Sequence, residues 1–365
     1  MMTNLRKKVT SLLMAAVMLT PLFMSGCASE KSEGDTTAPS QTEAISEITQ
    51  SEDTTAQSTQ ETASEKPKDA ETIGAIVIVD NAAYEYYNFV QSSADSFISS
   101  LNRAQEKLSG KATLYSIIAP TSIDITLDDA TRASLNSSDQ KKAINYLYGS
   151  LSQSIKVVNL YDTLRSHRDE YIYYRTDHHW TALGAYYGYV EFAKAAGLTP
   201  VDISKFEKVS YGDFLGSFYG DSKKSAKLEK NADELIAYKP YYGTSLKFTD
   251  KSGKTYDWPL VNDVSNYNKS YKYSAFTAGD NPYTIIENKD NQGGKTCVVV
   301  KESFANAMIP FIVGNYKTVH VIDYRYWNGK LADFVVKNKV DDVIFMNNVS
   351  ATRNSQLVSS LAEII

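Results

Sequence analysis

Short apolar runs that end in polar or glycine residues recur along the larger, C-terminal part of the chain. Most of these runs are apolar at nearly every position, which is typical of strands that are buried on both faces. They predict strands at residues 74–79, 112–119, 155–161, 296–301, 318–323 and 341–346.

Segments with helical periodicity separate these runs. Strands that alternate with helices predict a mostly parallel sheet with helices on both faces. Residues 200–292 break the alternation, because they are rich in Gly, Tyr, Asn, Lys and Ser and show little helical periodicity. We interpret them as an insertion of loops and short antiparallel strands between the two halves of the sheet. The helical segments are residues 93–108, 138–152, 182–196, 304–313 and 353–363.

The first 26 residues have the pattern of an export signal. A basic start is followed by an apolar stretch at 9–24 that is too short for a comfortable membrane span. The sequence Met-Ser-Gly-Cys at 24–27 resembles a bacterial lipobox, which implies cleavage before Cys27 and lipidation of its thiol. The alternative is an ordinary secretory signal with an incidental cysteine. We therefore expect an extracytoplasmic protein that a lipid on Cys27 anchors to the cell membrane.

The residues after Cys27 have the composition of a flexible tether. Residues 28–70 contain no aromatic residue, and Ile45 and Ile48 are their only large aliphatic residues. Such a segment cannot bury enough apolar surface to offset the entropy lost on ordering. We predict a disordered tether at 27–70, followed by one α/β domain at 71–365 that contains the insertion.

Charge and cysteine content narrow the possible functions. The chain has a formal net charge of −5, and residues 28–70 alone hold ten acidic and three basic residues. The domain is therefore nearly neutral, which argues against nucleic-acid binding because that requires a basic face. If Cys27 is lipidated, Cys297 has no partner for an intrachain disulfide, and its apolar surroundings predict a core position.

A candidate catalytic site is split between two distant segments. Asp177, His178 and His179 precede a predicted helix, and an Asp–His pair can orient an imidazole to take a proton from a serine. The apolar run at 296–301 ends close to Ser303, where a strand is predicted to turn into a helix. In open α/β sheets, groups that follow the carboxyl ends of strands meet at one edge. We therefore expect these segments to form one cleft.

Three motifs carry a resemblance to a known family. They are Tyr-Arg-Thr-Asp-His-His-Trp-Thr-Ala-Leu-Gly-Ala-Tyr at 174–186, Lys-Glu-Ser-Phe at 301–304 and Val-Ile-Asp-Tyr-Arg-Tyr at 321–326. Together they resemble the bacterial DHHW protein family, which is similar to the SGNH-hydrolase-like domain of the alginate O-acetyltransferases. The resemblance implies an SGNH-hydrolase-like, flavodoxin-like three-layer fold.

The resemblance also implies residue roles. Asp177 takes the carboxylate role, His179 the base role and Ser303 the nucleophile role, and His178 occupies a variable middle position. SGNH enzymes carry Gly-Asp-Ser at the nucleophile, whereas this chain has Lys-Glu-Ser at 301–303. The oxyanion must therefore be stabilised by other donors, and the Ser303 amide is one candidate.

Four further side chains are candidates for oxyanion or substrate contacts. Asn347 follows a predicted strand and could serve as an oxyanion donor. Arg325 could bind a carboxylate-bearing sugar or its neighbour Asp323, and we favour Asp323. Trp180 is expected to pack against the histidine turn rather than to act as a substrate platform. His178 is the fourth candidate.

No metal or cofactor is expected. Adjacent His and Asp residues offer donor atoms for zinc, but a site needs at least three protein ligands in suitable geometry. Only His167 and His320 remain outside the motif, and no cluster of Cys or His completes a set. Among the 26 tyrosines, those in 200–292 are the likelier contacts for a sugar ligand.

These features support two hypotheses. The first is a lipid-anchored acyltransferase or esterase that acts on acetyl esters of a cell-envelope polysaccharide through Ser303, His179 and Asp177. In the related systems a membrane-embedded acyltransferase presents the acetyl group, and the tether would let this domain reach such a partner. The second is a non-catalytic envelope protein of the same fold that binds polysaccharide or a surface partner. A short distance from His179 to Ser303 would favour the enzyme.

Overall fold

The structure is a computed structural model that describes residues 66–365. These residues form a mixed α/β fold around a large sheet. The strands are β1 (Ala70–Ile73), β2 (Ile76–Val79), β3 (Ala82–Glu85), β4 (Thr113–Ala119), β5 (Lys156–Asn159), β6 (Glu207–Phe214), β7 (Asp233–Lys239), β8 (Thr244–Thr249), β9 (Thr255–Trp258), β10 (Tyr283–Asn288), β11 (Thr296–Lys301), β12 (Thr318–Asp323) and β13 (Asp342–Asn348).

The helices vary widely in length, and three 3-10 turns accompany them. The α-helices are α1 (Gln91–Leu108), α2 (Ser122–Ile125), α3 (Asp129–Ser134), α4 (Gln140–Gly149), α5 (Tyr161–Ser166), α6 (Ala182–Ala196), α7 (Ser217–Asp221), α8 (Ala226–Lys230), α9 (Ile309–Ile312), α10 (Leu331–Asn338), α11 (Val349–Arg353) and α12 (Ser355–Ile364). The 3-10 turns are Ile203–Lys205, Lys269–Ala275 and Ser303–Ala307.

The large sheet has eight strands in the order β5-β4-β13-β11-β12-β10-β8-β9. The first five are parallel, and β10, β8 and β9 extend the sheet as antiparallel strands. The prediction of a mixed α/β fold with a large, mostly parallel sheet is therefore confirmed. The order of the parallel strands differs from that of flavodoxin. If the five parallel strands are numbered along the chain, they run 2-1-5-3-4, whereas the flavodoxin order is 2-1-3-4-5.

The last strand accounts for this difference. β13 lies between β4 and β11, with Ile344 opposite Tyr115 on one side and Val299 on the other. All seven of its residues are buried. Helices α1, α10, α11 and α12 contact one another as one group, and α5, α6 and α9 form a second group. Two helix groups and strands buried at nearly every position are the pattern expected when both faces of a parallel sheet are covered.

The first predicted strand belongs to a separate sheet. Residues 74–79 were expected in the large sheet, but β2 pairs with β1 and β3 in an antiparallel three-stranded sheet. Its four residues are nevertheless all buried. The apolar run thus correctly indicated burial, whereas the choice of partner strands depended on the short turns on either side of β2.

The structure departs from the helical predictions at residues 304–313 and at α10. The segment 304–313 is not one helix, because a 3-10 turn and the short α9 replace it. Pro310 lies in the first turn of α9, where its missing N–H cannot continue a preceding helix. Helix α10 was not predicted. Its eight residues bury only Leu331 and Val335, so their apolar periodicity is short.

The region 200–292 contains two kinds of antiparallel pairing. Strands β6 and β7 form a two-stranded sheet of their own, and β8, β9 and β10 pair at the edge of the large sheet. The folded part also begins slightly before residue 71, since β1 starts at Ala70 and the Lys68 amide donates to Thr131 Oγ1. The export signal, Cys27 and most of the predicted tether lie outside the described residues. Among residues 66–365, no helix has the length and apolar content that crossing a membrane requires.

Candidate active site

A tight backbone turn presents the Asp-His-His-Trp motif. The Thr181 amide donates to the Ile172 carbonyl at 2.9 Å, and the Tyr174 amide donates to the His179 carbonyl at 3.3 Å. Thr181 then caps α6, because its hydroxyl accepts from the Gly184 amide. A Cβ on Gly184 would lie 2.3 Å from the Ile172 carbonyl oxygen, so the close approach of helix and turn requires glycine there.

Asp177, His179 and Ser303 form one chain of hydrogen bonds. Asp177 Oδ1 lies 2.6 Å from His179 Nδ1, and His179 Nε2 lies 2.9 Å from Ser303 Oγ. Ser303 directly follows Glu302 at the carboxyl end of β11 and is partly exposed, whereas Asp177 and His179 are buried. The structure thus brings together two segments that lie 124 residues apart along the chain.

The surroundings keep Asp177 ionised. Burial by itself would raise the pKa of the Asp177 carboxyl, but the nearby imidazoles of His179 and His178 outweigh it and hold that pKa well below its usual range. Hydrogen bonds from His179 and from the Ser217 amide act in the same direction. A buried carboxylate that accepts an imidazole N–H leaves the other ring nitrogen free to accept a proton from a serine.

Aromatic side chains pack against the His179 ring. The Tyr273 ring stacks on it at 3.8 Å with an interplanar angle of 12°, and the His178 ring lies 3.8 Å away at 36°. Tyr273 comes from the region 200–292, where tyrosines were proposed as ligand contacts. The structure places this tyrosine against the imidazole, and its hydroxyl donates to the Ser303 carbonyl at 3.3 Å.

Glu302 anchors the turn that carries Ser303. Its two carboxylate oxygens accept one amide each, from Phe304 at 3.0 Å and from Asn348 at 2.9 Å. The second bond connects the end of β11 to the end of β13. Burial raises the pKa of the Glu302 carboxyl despite these two donors. Glu302 therefore caps the turn, and its Oε2 also lies 3.4 Å from Ser303 Oγ. The sequence had indicated Glu302 only as a departure from the Gly-Asp-Ser motif.

The structure does not complete an oxyanion site. Within residues 66–365, the Ser303 amide donates to no protein acceptor, so it is available to a ligand. Asn347 is buried, and its Oδ1 accepts from the Tyr324 hydroxyl at 2.7 Å. Its amide nitrogen has no partner, and no hydrogen bond joins it to Ser303 within the described residues. A role for either group as an oxyanion donor stays a prediction.

Trp180 is a packing residue in this structure. Its ring is completely buried, and its indole N–H donates to the Phe304 carbonyl at 2.8 Å. A Cβ on Gly188 would lie 2.9 Å from the ring, so α6 packs closely against it. No face of Trp180 is open to a substrate. Its hydrogen bond connects the histidine turn to the residue that follows Ser303.

Arg325 is engaged in an ion network rather than free for a sugar. Its guanidinium contacts Asp323 at 2.6 Å and Asp280 at 2.9 Å. Lys301, which is only 1% exposed, contacts the same two carboxylates at 3.0 and 2.8 Å. Burial opposes the charge on Lys301, but Asp280 and Asp323 outweigh it and raise the pKa of Lys301. Asn306, in the turn after Ser303, donates to Asp280, so this network supports the nucleophile segment.

The motif also brings possible metal ligands together. One ligand atom each from Asp177, His178 and His179 lies within 4.8 Å of the others. However, both ring nitrogens of His179 already have partners, and His178 Nδ1 lies 2.7 Å from Ser217 Oγ. The donor set therefore fits the hydrogen-bond chain better than it fits a resident metal ion.

Sequence reasoning missed three residues that support the motif. The Ser217 amide donates to Asp177 Oδ2 at 2.8 Å, and Gly216 packs directly on Asp177. Asp233 is buried in β7 and accepts from the Arg175 and Thr176 amides. All three lie in the region 200–292, and nothing in their local sequence distinguishes them from ordinary loop and strand residues.

The fold and the site define an α/β protein with an Asp-His-Ser hydrogen-bond chain at the carboxyl edge of its sheet. The model of the DHHW protein family matches residues 41–322, and the chain therefore belongs to the DHHW family. No curated protein matches the chain.

Solved structures share the fold at low sequence identity. A DHHW family protein from Eubacterium siraeum is 23% identical, with a TM-score of 0.74, and the match covers 81% of this chain and 98% of that one. PatB1 of Bacillus cereus, solved with a sulfonyl adduct, is 17% identical with a TM-score of 0.65, covering 77% and 97%. The O-acetyltransferase domain of Pseudomonas putida AlgJ is 12% identical, and the match covers 81% of this chain and 99% of that one. Its TM-score of 0.42 is too low to indicate a shared fold.

Proposed function

We propose that this protein is an SGNH-hydrolase-like acyl-transfer enzyme that uses Ser303 as its nucleophile. The hydrogen-bond chain from Asp177 through His179 to Ser303, with distances of 2.6 and 2.9 Å, is the observation that carries the proposal. A packed wall between His179 and Ser303 would have favoured a binding protein. The short distance instead favours an enzyme.

In the proposed reaction, Ser303 Oγ attacks the carbonyl carbon of an ester while His179 Nε2 takes the hydroxyl proton. Asp177 holds the imidazole and stabilises its charged form. The imidazolium then returns the proton to the departing alcohol, which leaves an acyl group on Ser303. A sugar hydroxyl completes a transfer, or water completes a hydrolysis, and His179 deprotonates whichever of the two attacks.

The proposed acyl group is based on the family resemblance, and the proposed location is based on the export signal predicted at residues 1–26. We propose an acetyl ester of a cell-envelope polysaccharide as the substrate and the outer surface of the cell membrane as the location, with a lipid on Cys27 as the anchor. A membrane-embedded acyltransferase is the proposed source of acetyl groups. PatB1 has been solved with a sulfonyl adduct, and sulfonyl reagents modify activated nucleophiles, which suggests a direct test of Ser303.

The test uses the full-length protein in mild detergent with a chromogenic acetyl ester, with and without acceptor oligosaccharides. We expect ester cleavage that Ser303→Ala abolishes, whereas Ser99→Ala, an exposed serine on α1, leaves it unchanged. A sulfonyl fluoride should label Ser303, as located by peptide mass spectrometry. Acetylated oligosaccharide among the products would identify a transferase. If Ser303→Ala is as active as the parent, the proposal is wrong.

A further inference from the structure

A loop from the region 200–292 lies against the turn that carries Asp177. The Gly216 amide donates to Thr176 Oγ1 at 3.1 Å, the Ser217 amide to Asp177 Oδ2 at 2.8 Å and the Tyr219 amide to the Thr176 carbonyl at 3.1 Å. These three contacts fix the loop to Asp177 and to Thr176, the residue before the Asp-His-His-Trp motif.

The loop completes the hydrogen bonding of the Asp177 carboxylate. Asp177 Oδ1 accepts from the His179 amide at 3.0 Å and also faces His179 Nδ1. Asp177 Oδ2 accepts from the Ser217 amide. Because opposite donors hold the two oxygens, the carboxylate cannot rotate without losing a bond. Its orientation toward the imidazole therefore depends on Ser217 as well as on His179.

Gly216 is required for a steric reason. A Cβ at this position would lie 2.2 Å from both Asp177 Cβ and Asp177 Oδ2, and 2.5 Å from Cγ. The φ of Gly216 is −85°, which any residue can adopt, so its backbone conformation does not explain the glycine. Any side chain would push either the loop or the carboxylate away from its present place.

His178 holds the other side of the loop. Its Nδ1 lies 2.7 Å from Ser217 Oγ, and its amide donates to the same oxygen at 3.4 Å. The middle residue of the motif therefore anchors the hydroxyl of the serine whose amide binds Asp177. The side chain of His178 therefore has a structural role, and the proton transfer is assigned to His179.

We propose that Gly216 and Ser217 are positioning residues that orient Asp177, and that His178 holds Ser217 in place for this task. The role rests on the proposed function, since it serves the reaction of Ser303. The region 200–292 is then part of the catalytic apparatus, because it supplies the group that fixes the carboxylate as well as Tyr273 against the imidazole.

Two pairs of variants test the proposal in the full-length protein. Gly216→Ala is matched by Gly220→Ala in α7, where an added Cβ meets no atom within 4 Å. Ser217→Pro removes the amide donor and the hydroxyl and places its Cδ against Asp177 Oδ2, and Ser217→Ala removes the hydroxyl alone. The difference between the two Ser217 variants therefore reports on the place of the Asp177 carboxylate, which Ser217→Pro displaces and Ser217→Ala does not.

The readouts are kcat and KM for the acetyl ester and the NMR signal of the His179 Nδ1 proton in protein labelled with ¹⁵N-histidine. The proton of a short N–H···O bond resonates far downfield. We expect Gly216→Ala and Ser217→Pro to lose this signal and to lower kcat by about 10- to 100-fold, the size expected for one bond to a charged acceptor, with little change in KM. Ser217→Ala should lower kcat less than Ser217→Pro does, and Gly220→Ala should have the kcat and the NMR signal of the parent.

Parent-like kcat and an unchanged signal in both Gly216→Ala and Ser217→Pro would overturn the proposal. If neither Gly216→Ala nor Ser217→Pro folds, Ser217→Ala decides, because it adds no atom beside Asp177 and removes the contact by which His178 holds the loop. A parent-like kcat and an unchanged signal in Ser217→Ala would then overturn the proposal. The NMR signal also separates this proposal from the proposed function. A downfield signal that Gly216→Ala abolishes, in a parent protein without esterase activity, would support the positioning role and refute the proposed enzyme.

Discussion

Replacing Asp177 with Asn removes one charge and almost no volume, which makes it a sharp test of the proposed mechanism. The carboxylate receives three N–H groups, two at Oδ1 and one at Oδ2. An amide has only one oxygen. If that oxygen faces His179, the NH₂ group opposes the Ser217 amide; if it faces Ser217, the NH₂ group opposes the His179 amide.

Each orientation disables the site in a different way. In the first, the imidazole keeps its tautomer but loses the negative charge that stabilises its protonated form. In the second, His179 must carry its proton on Nε2 and cannot accept one from Ser303. We therefore expect kcat/KM to fall on the order of 10³- to 10⁴-fold, as the same change does in serine proteases through the tautomer.

The same substitution should lower stability in a pH-dependent manner. One buried donor is left without an acceptor, which costs about 1–3 kcal/mol. Because the folded pKa of Asp177 is depressed, its contribution is fully present above the unfolded pKa of about 3.9 and is lost as pH falls toward the folded pKa. The gap in Tm between parent and Asp177→Asn should therefore be constant at neutral pH and narrow below about pH 4.

The measurements are kcat/KM for the acetyl ester and Tm from pH 3 to pH 7. Asp169→Asn is the matched control, because the Asp169 side chain is 99% exposed, and it should behave like the parent. An Asp177→Asn protein that folds normally and keeps more than about a tenth of the parent activity would refute the reasoning, since a rate loss so small corresponds to under about 1.4 kcal/mol.

Three further predictions concern other parts of the chain. His179→Ala and Ser303→Ala should each lower kcat by several orders of magnitude, because such residues act as a unit, and His178→Ala should cost far less; the reverse ranking of the histidines in the ester assay would move the base by one residue. Lys301→Met should lower the free energy of unfolding by about 1–3 kcal/mol, because buried Asp323 loses one charged partner and keeps Arg325; a denaturant midpoint equal to that of the parent would contradict this. Cys27→Ser should prevent lipidation and release the protein from the membrane fraction, and mass spectrometry that finds unmodified Cys27 in the parent would exclude the lipid anchor.

The pattern of apolar runs by itself determined much of the large sheet. Strands β11 and β12 have the predicted bounds, and α6 begins and ends where its periodicity does. Such runs predict strands well, because a strand covered on both faces must be apolar at almost every position. The proximity of Asp177, His179 and Ser303 was also expected from the chain, because their segments follow predicted strands and such groups meet at one edge of a sheet.

Only the tertiary structure decided which elements and side chains are neighbours. The position of β13 between β4 and β11 depends on its pairing with β4, whose residues are more than two hundred positions away, and apolar runs do not identify such partners. The same holds for the support of the site. In the sequence, Gly216 is an ordinary loop glycine, and only the structure shows that Asp177 packs against it. Glu302 is a departure from a motif in the sequence, and only the structure shows that its two oxygens accept the Phe304 and Asn348 amides. The local pattern of apolar residues predicts which residues are buried, whereas the contacts between those residues depend on how the whole chain is folded.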